Sequence, residues 1–194
     1  MESDIMLLAG ARKLNGDALI GVFDFYSPAL YKYVFRLCNN ALMADQIVGD
    51  VFAKLCEHLL AGGGPRANLR SYLYEIAYHL LVDKVSRSHR TAPIEVVGLY
   101  TNAYSIDVSA EDRSLYETVL RAIMNDLTDD QRHVIILRFI EGFSVKETAA
   151  IIGKKVGNVK VIQNRAIAAL RKALDYQVVE TNAISFMIRS LSPT

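Results

Sequence analysis

Residues 127–174, LTDDQRHVIILRFIEGFSVKETAAIIGKKVGNVKVIQNRAIAALRKAL, read as three successive helices with two capped starts and a basic last member. Thr128 to Gln131 and Ser144 to Glu147 both fit the capping box, in which a hydroxyl accepts an orphan N–H and the side chain three residues on reaches back. Gly142 and Gly153 stand where a left-handed residue closes a preceding helix. A short helix over 144–152 is therefore expected, then a turn over 153–155 that delivers the next helix at a steep angle. This is a helix-turn-helix written in local chemistry, and the ligand it points to is duplex DNA.

In the last helix Val159, Ala166, Leu170 and Leu174 form an inward stripe, which leaves Asn158, Lys160, Val161, Asn164, Arg165 and Ala168 for solvent or a groove. Arg165 or Lys160 can pair with guanine O6 and N7, Asn164 with adenine, and Val161 can touch a thymine methyl. Lys154 and Lys155, at the start of that helix, suit phosphates better.

Ahead of this segment, between residues 17 and 90, apolar residues recur at three and four, the helical spacing. Breaks fall at Ser27-Pro28, Asn39-Asn40 and the Gly62-Gly63-Gly64-Pro65 cluster, which predicts about four helices. The second covers 28–37, with proline at a tolerated first-turn position; the third covers 42–60, with Ile47, Val51, Leu55 and Leu59 on one stripe. The fourth covers about 68–85, its buried side built from Leu69, Leu73, Ile76, Leu80 and Val82. From 91 to 110 the periodicity stops, which predicts a flexible linker. A further helix over about 111–125 leads into the helix-turn-helix, and the tail after Tyr176 carries an apolar patch of Ile184, Phe186, Met187, Ile188 and Leu191. The fold class is all-α: two small helical domains joined by a linker.

The chain of 194 residues is 52% hydrophobic, and its mean hydropathy is +0.18. No run approaches the 18 or so apolar residues of a membrane span, so a soluble protein with no membrane insertion is expected. The start, MESDIMLLAGARKLNGD, is acidic and too short in apolar content for a signal peptide, which places the protein in the cytoplasm. Cys38 and Cys56 lack metal or redox spacing, and no cofactor, metal or catalytic signature is present. Net charge is only +1, but its distribution is uneven. Residues 127–175 hold nine Lys/Arg against five Asp/Glu, whereas the first sixty residues hold five against seven. An acidic front and a basic back suggest two different partners.

The residues as a set resemble a family, the extracytoplasmic-function (ECF) sigma factors of the sigma-70 type. FDFYSPALYKYVFRL, ADQIVGDVF and LRSYLYEIAYHLLVDKV are similar to sigma region 2; residues 127–174 are similar to sigma region 4. The resemblance implies a region 2-like domain over 1–90, a linker over 91–110, a region 4-like domain over 111–176 and a tail over 177–194. It implies an alternative sigma factor, not an enzyme, that binds core RNA polymerase and recognises minus-10 and minus-35 promoter elements. The helix around Ala44 to Leu60 would dock on the clamp helices of the largest polymerase subunit through Asp45, Val48, Asp50, Phe52 and Leu55, with the polymerase flap a further contact. The minus-10 element would be read by Arg66, Arg70, Tyr72, Tyr78, His79, Lys84 and Arg87, rings and cations of the kind that capture unstacked bases. The minus-35 element falls to Lys154, Lys155, Asn158, Lys160, Val161, Asn164 and Arg165. An anti-sigma factor is implied as a regulatory partner.

The chain departs from the family pattern in places. Tyr72 stands where tryptophan is common, Tyr78 and His79 replace a frequent Arg-Asn pair, and Ser86 lies in what is often an arginine run. Gln46, Gly49 and Ile162 are also unusual, and Gly49 costs about 1 kcal/mol of helix propensity. A competing reading keeps the helix-turn-helix but makes the front half a sensor or dimerisation domain, giving a transcriptional regulator that acts without polymerase. A third makes the chain a helical interaction module without DNA function.

Overall fold

A computed structural model describes residues 2–65, 67–88 and 110–174. They form eight α-helices, and no strand occurs among the described residues. The chain divides into two compact units, residues 1–94 and 95–194.

The first unit holds α1 (Glu2–Arg12), α2 (Gly16–Cys38), α3 (Ala41–Leu60) and α4 (Leu69–Ser88). Asparagines set four of its helix boundaries. Asn15 Oδ1 accepts the Ala18 N–H at 2.9 Å to start α2, and Asn40 Oδ1 accepts that of Met43 at 2.9 Å to start α3. Between them Asn39, at φ 48°, closes α2 in the left-handed region that asparagine tolerates better than most residues. Asn68 Oδ1 accepts the Ser71 N–H at 3.0 Å at the head of α4.

Two expectations for this unit are corrected. Ser27-Pro28 does not break the chain, because α2 runs through Pro28 without interruption. Pro28 and Asp24, whose carbonyl loses its helical donor to the proline, are both exposed, so water can satisfy that oxygen. Val22, Tyr26, Leu30, Tyr33, Val34 and Leu37 are buried on both sides of the proline, and that continuous stripe holds the helix together. The fourth helix of the unit is instead α1, where none was expected. It packs on α2 where small residues let the backbones approach: a Cβ added to Gly10 would sit 2.5 Å from that of Ala18.

α2 packs against α1, α3 and α4, and α3 against α4. The stripe of α4 also differs from expectation. Leu69, Leu73 and Ile76 are buried as read, but Leu80 and Val82 are only half-buried, while Tyr74, Ala77, Tyr78 and Leu81 complete the buried side. Tyr74 is fully enclosed and meets Tyr33 of α2 with ring centroids 5.0 Å apart.

The second unit holds α5 (Ala110–Asp126), α6 (Asp129–Ile135), α7 (Val145–Ile151) and α8 (Val156–Ala173). α8 packs on the other three. Ser144 Oγ accepts the Glu147 N–H at 3.2 Å while Glu147 Oε2 accepts the Ser144 N–H at 2.8 Å. At the start of α6 Gln131 Oε1 accepts the Thr128 N–H at 3.0 Å. Gly142 and Gly153 take φ of 73° and 63°, which glycine adopts without steric cost. No sequence signal announces the π-helical turn over Ile136–Ile140 that extends α6. Its widened backbone accepts the Glu141 and Phe143 N–H groups at Ile136 and Leu137, each at 2.9 Å.

Candidate nucleic-acid and partner interfaces

α8 presents one buried and one open side. Val159, Ala166, Leu170 and Leu174 face the core, as the spacing predicts, at 0 to 9% exposure. Asn158, Lys160, Val161, Asn164 and Arg165 are all exposed, and Val161 is 49% open. One face of α8 therefore gathers two donor-acceptor amides, two cations and an aliphatic contact, the groups that base edges require. Lys155 is exposed at the helix start. Lys154 is half-buried and pairs with Asp130 of α6 at 2.9 Å, so a phosphate would have to compete for it.

On α3, Asp45 and Asp50 are exposed and Phe52 is half-buried. Phe52 meets Phe23 of α2 with centroids 4.8 Å apart, and Phe23 itself remains 45% exposed. Val48 and Leu55, expected beside them at a partner surface, are 6% and 1% exposed and belong to the core. They lie on the α3 side that α2 and α4 cover, which leaves Phe52 with Phe23 as the apolar pair beside the two carboxylates. Phe23 was missed because the expected break at Pro28 left the α2 segment before it without a place in the packing. Gly49 sits on the exposed side of α3, with nothing within 4 Å of where a Cβ would stand. No contact inside the described fold demands it.

The seven expected minus-10 residues, six of them on α4, separate. His79 is exposed, and Arg70 and Tyr72 are half-buried. The Arg70 guanidinium lies 5.5 Å from the Tyr74 ring centroid. The Tyr72 hydroxyl shares a hydrogen bond with His58 Nδ1 of α3. Burial, with the Glu75 charge behind it, raises the Tyr72 phenol above its ordinary pKa and keeps it protonated. Tyr78, expected as a stacking ring, is buried at 9% exposure with its edge against His79, which removes it from the surface. Lys84 is half-buried and ion-paired with Asp50 at 2.9 Å. Arg66 and the Arg87 side chain lie outside the described residues, as do the expected linker up to 109 and the tail. One support for this region was not foreseen: Arg12, at the end of α1, donates to the Pro65 carbonyl at 2.8 Å and braces the glycine-rich loop before α4.

Both thiols are half-buried and free, and burial pushes the Cys38 thiol up, the inert direction. No cluster of metal-binding side chains occurs among the described residues, and no described helix is long and apolar enough to cross a membrane.

Comparison with known proteins places this geometry in a family. The model described as "Sigma-70 region 2" matches residues 22–91, and "Sigma-70, region 4" matches residues 123–172. The chain is 33% identical over 176 residues to the ECF RNA polymerase sigma factor SigD of Mycobacterium bovis, covering 83% of this chain and 80% of that protein. It is 27% identical over 172 residues to the ECF RNA polymerase sigma factor BldN of Streptomyces coelicolor, covering 87% of this chain but 64% of BldN. Among solved structures it resembles the sigma factor RpoE from Bartonella quintana, crystallised with the anti-sigma factor NepR. That match has TM-score 0.58 and 25% identity, covering 77% of this chain and 92% of that one. The chain belongs to the ECF group of sigma-70 RNA polymerase sigma factors, which are transcription initiation factors and not enzymes.

Proposed function

We propose that this chain is an alternative sigma factor that binds core RNA polymerase through the exposed side of α3 and reads two promoter elements, with α4 at minus-10 and α8 at minus-35. The observation that carries this reading is the order of the two family matches, region 2 over 22–91 and region 4 over 123–172. That order accompanies an acidic, aromatic surface on the first unit and a basic, polar one on the second. Under this reading the domains are 1–90 and 111–176, separated by a linker over 91–110 and followed by a tail.

Asp45 and Asp50 supply carboxylates to basic groups on the polymerase clamp helices, and Phe52 with Phe23 supplies the desolvated anchor that such interfaces need. His79, Arg70 and Tyr72 form the minus-10 surface, with Lys84 recruited as a cation and Arg66 and Arg87 completing it. On α8, Lys160, Asn164, Arg165 and Val161 read bases while Lys155 and Lys154 hold phosphates. The protein works in the cytoplasm, where polymerase and promoter are. The RpoE–NepR complex supports an anti-sigma factor as a further partner of this chain.

Run-off transcription with purified core enzyme tests the reading. Promoter-specific initiation is expected with the intact chain and is lost when Asp50 and Phe52 are both replaced by alanine. Binding to duplex sites as a symmetric dimer in the absence of polymerase would instead support the helix-turn-helix regulator, which the two-region family match does not favour.

A further inference from the structure

The π-helical turn puts Arg138 in a position that the DNA-reading residues do not explain. Its Nε donates to Gln163 Oε1 on α8 at 3.1 Å, and one of its terminal nitrogens donates to the Phe143 carbonyl, one residue before the N-cap of α7. The guanidinium also lies 5.9 Å from the Phe139 ring centroid, so its plane is held on several sides. Arg138 and Gln163 are both half-buried, whereas the side chains proposed to meet bases are exposed. A single guanidinium thus ties the corner that starts α7 to the middle of α8.

On the helical circle Gln163 lies next to the buried stripe of Val159, Ala166 and Leu170, and roughly opposite the face that carries Val161 and Arg165. That stripe consists of aliphatic contacts, which are non-directional. A directional hydrogen bond at the edge of the stripe opposes rotation of α8 about its axis. With side chains reaching about 5–6 Å from the axis, a roll of about 10° shifts the reading atoms by about 1 Å. Hydrogen bonds to base edges weaken steeply over such a displacement.

We infer that Arg138 is a positioning residue for minus-35 recognition, setting the roll of α8 through Gln163 without touching DNA. The inference rests on α8 as the minus-35 reader. Arg138 lies within the π turn, and it reaches α8 from there while Ile136, Leu137 and Ile140 are buried. Lysine cannot replace it, since one ammonium does not span two acceptors held in a planar fork.

The test uses holoenzyme assembled from the full chain and core polymerase, with duplexes it selects from a library randomised at minus-35. Arg138→Ala, Arg138→Lys and Gln163→Ala should each lower affinity about tenfold or less, and the Arg138→Ala/Gln163→Ala pair should lose no more than either alone. Each should broaden the selected sequence, while the dependence of log affinity on log salt keeps its slope. A slope reduced by about one phosphate in Arg138→Ala would make Arg138 a direct backbone contact and overturn the inference. Full retention by Arg138→Lys, or losses that multiply in the double variant, would overturn it equally. Arg165→Ala is the control on the underlying reading. If that variant selects the same sequences with the same affinity, α8 does not read minus-35 and the proposed function fails before Arg138 is in question.

Discussion

Lys84 Nζ of α4 stands 2.9 Å from Asp50 Oδ2 of α3, so a proposed minus-10 cation and a proposed polymerase-binding carboxylate neutralise one another. The side chains are 32% and 50% exposed, and a pair so open to water stabilises a fold by less than about 1 kcal/mol. Under the proposed function this pair couples the two partners. A polymerase cation that took Asp50 would release Lys84 for a phosphate. Asp50→Asn is therefore expected to change urea-unfolding stability by less than about 1 kcal/mol while weakening capture by core polymerase. Loss of several kcal/mol with unaltered capture would make the pair purely structural.

Leu55 and Phe52 divide stability from binding. Leu55 is 1% exposed, and Leu55→Ala should cost about 2–5 kcal/mol of stability through the cavity it leaves. Phe52→Ala, at a half-buried site, should cost less stability and more polymerase affinity. Denaturation midpoints and pull-down with core enzyme, measured on both variants, check the contrast.

Gly49 lies in the middle of α3 with open space where a Cβ would stand. Gly49→Ala should raise stability by about 0.5–1 kcal/mol, because alanine loses less backbone entropy in a helix. Thermal unfolding reads this directly. A lowered midpoint would show that the site is constrained by something other than helix propensity.

His133 is buried in the second unit, where desolvation lowers its pKa from 6.5 to about 4 and the nearby Asp129 carboxylate only partly opposes that shift. Between these two values the unfolded chain holds a proton that the folded chain does not. Stability contributed by the neutral imidazole is thus present above pH 6.5 and falls as the pH drops toward 4. The loss is expected to approach about 3 kcal/mol. His133→Gln should flatten that part of the stability profile, as followed by urea titration at successive pH values.

Lys155, at the N-cap of α8, and Arg165 are both exposed but should differ in kind. A side chain bidentate to guanine costs about 1–3 kcal/mol on removal and relaxes preference at one base pair. A side chain on a phosphate weakens all sequences alike and lowers the salt slope by about 0.9. Arg165→Ala is expected to follow the first pattern, and Lys155→Ala the second, in promoter-binding titrations across salt.

The local features were legible in the amino acids alone. Ser144 with Glu147, Asn39 with Asn40, and Gly142 and Gly153 mark helix ends through contacts that span three residues or a single backbone angle, so their neighbours in sequence suffice to define them. The α8 stripe was legible because polar residues separate its apolar positions. Tertiary structure alone decided that α2 passes through Pro28, that α1 completes the first unit, and that Tyr78, Val48 and Leu55 are core. It also decided that Arg138 reaches Gln163, 25 positions away. In a chain that is 52% hydrophobic, helices such as α4 carry apolar or aromatic groups around most of their circumference. Periodicity then permits several faces, and only the helices packed from elsewhere in the chain determine which one is buried.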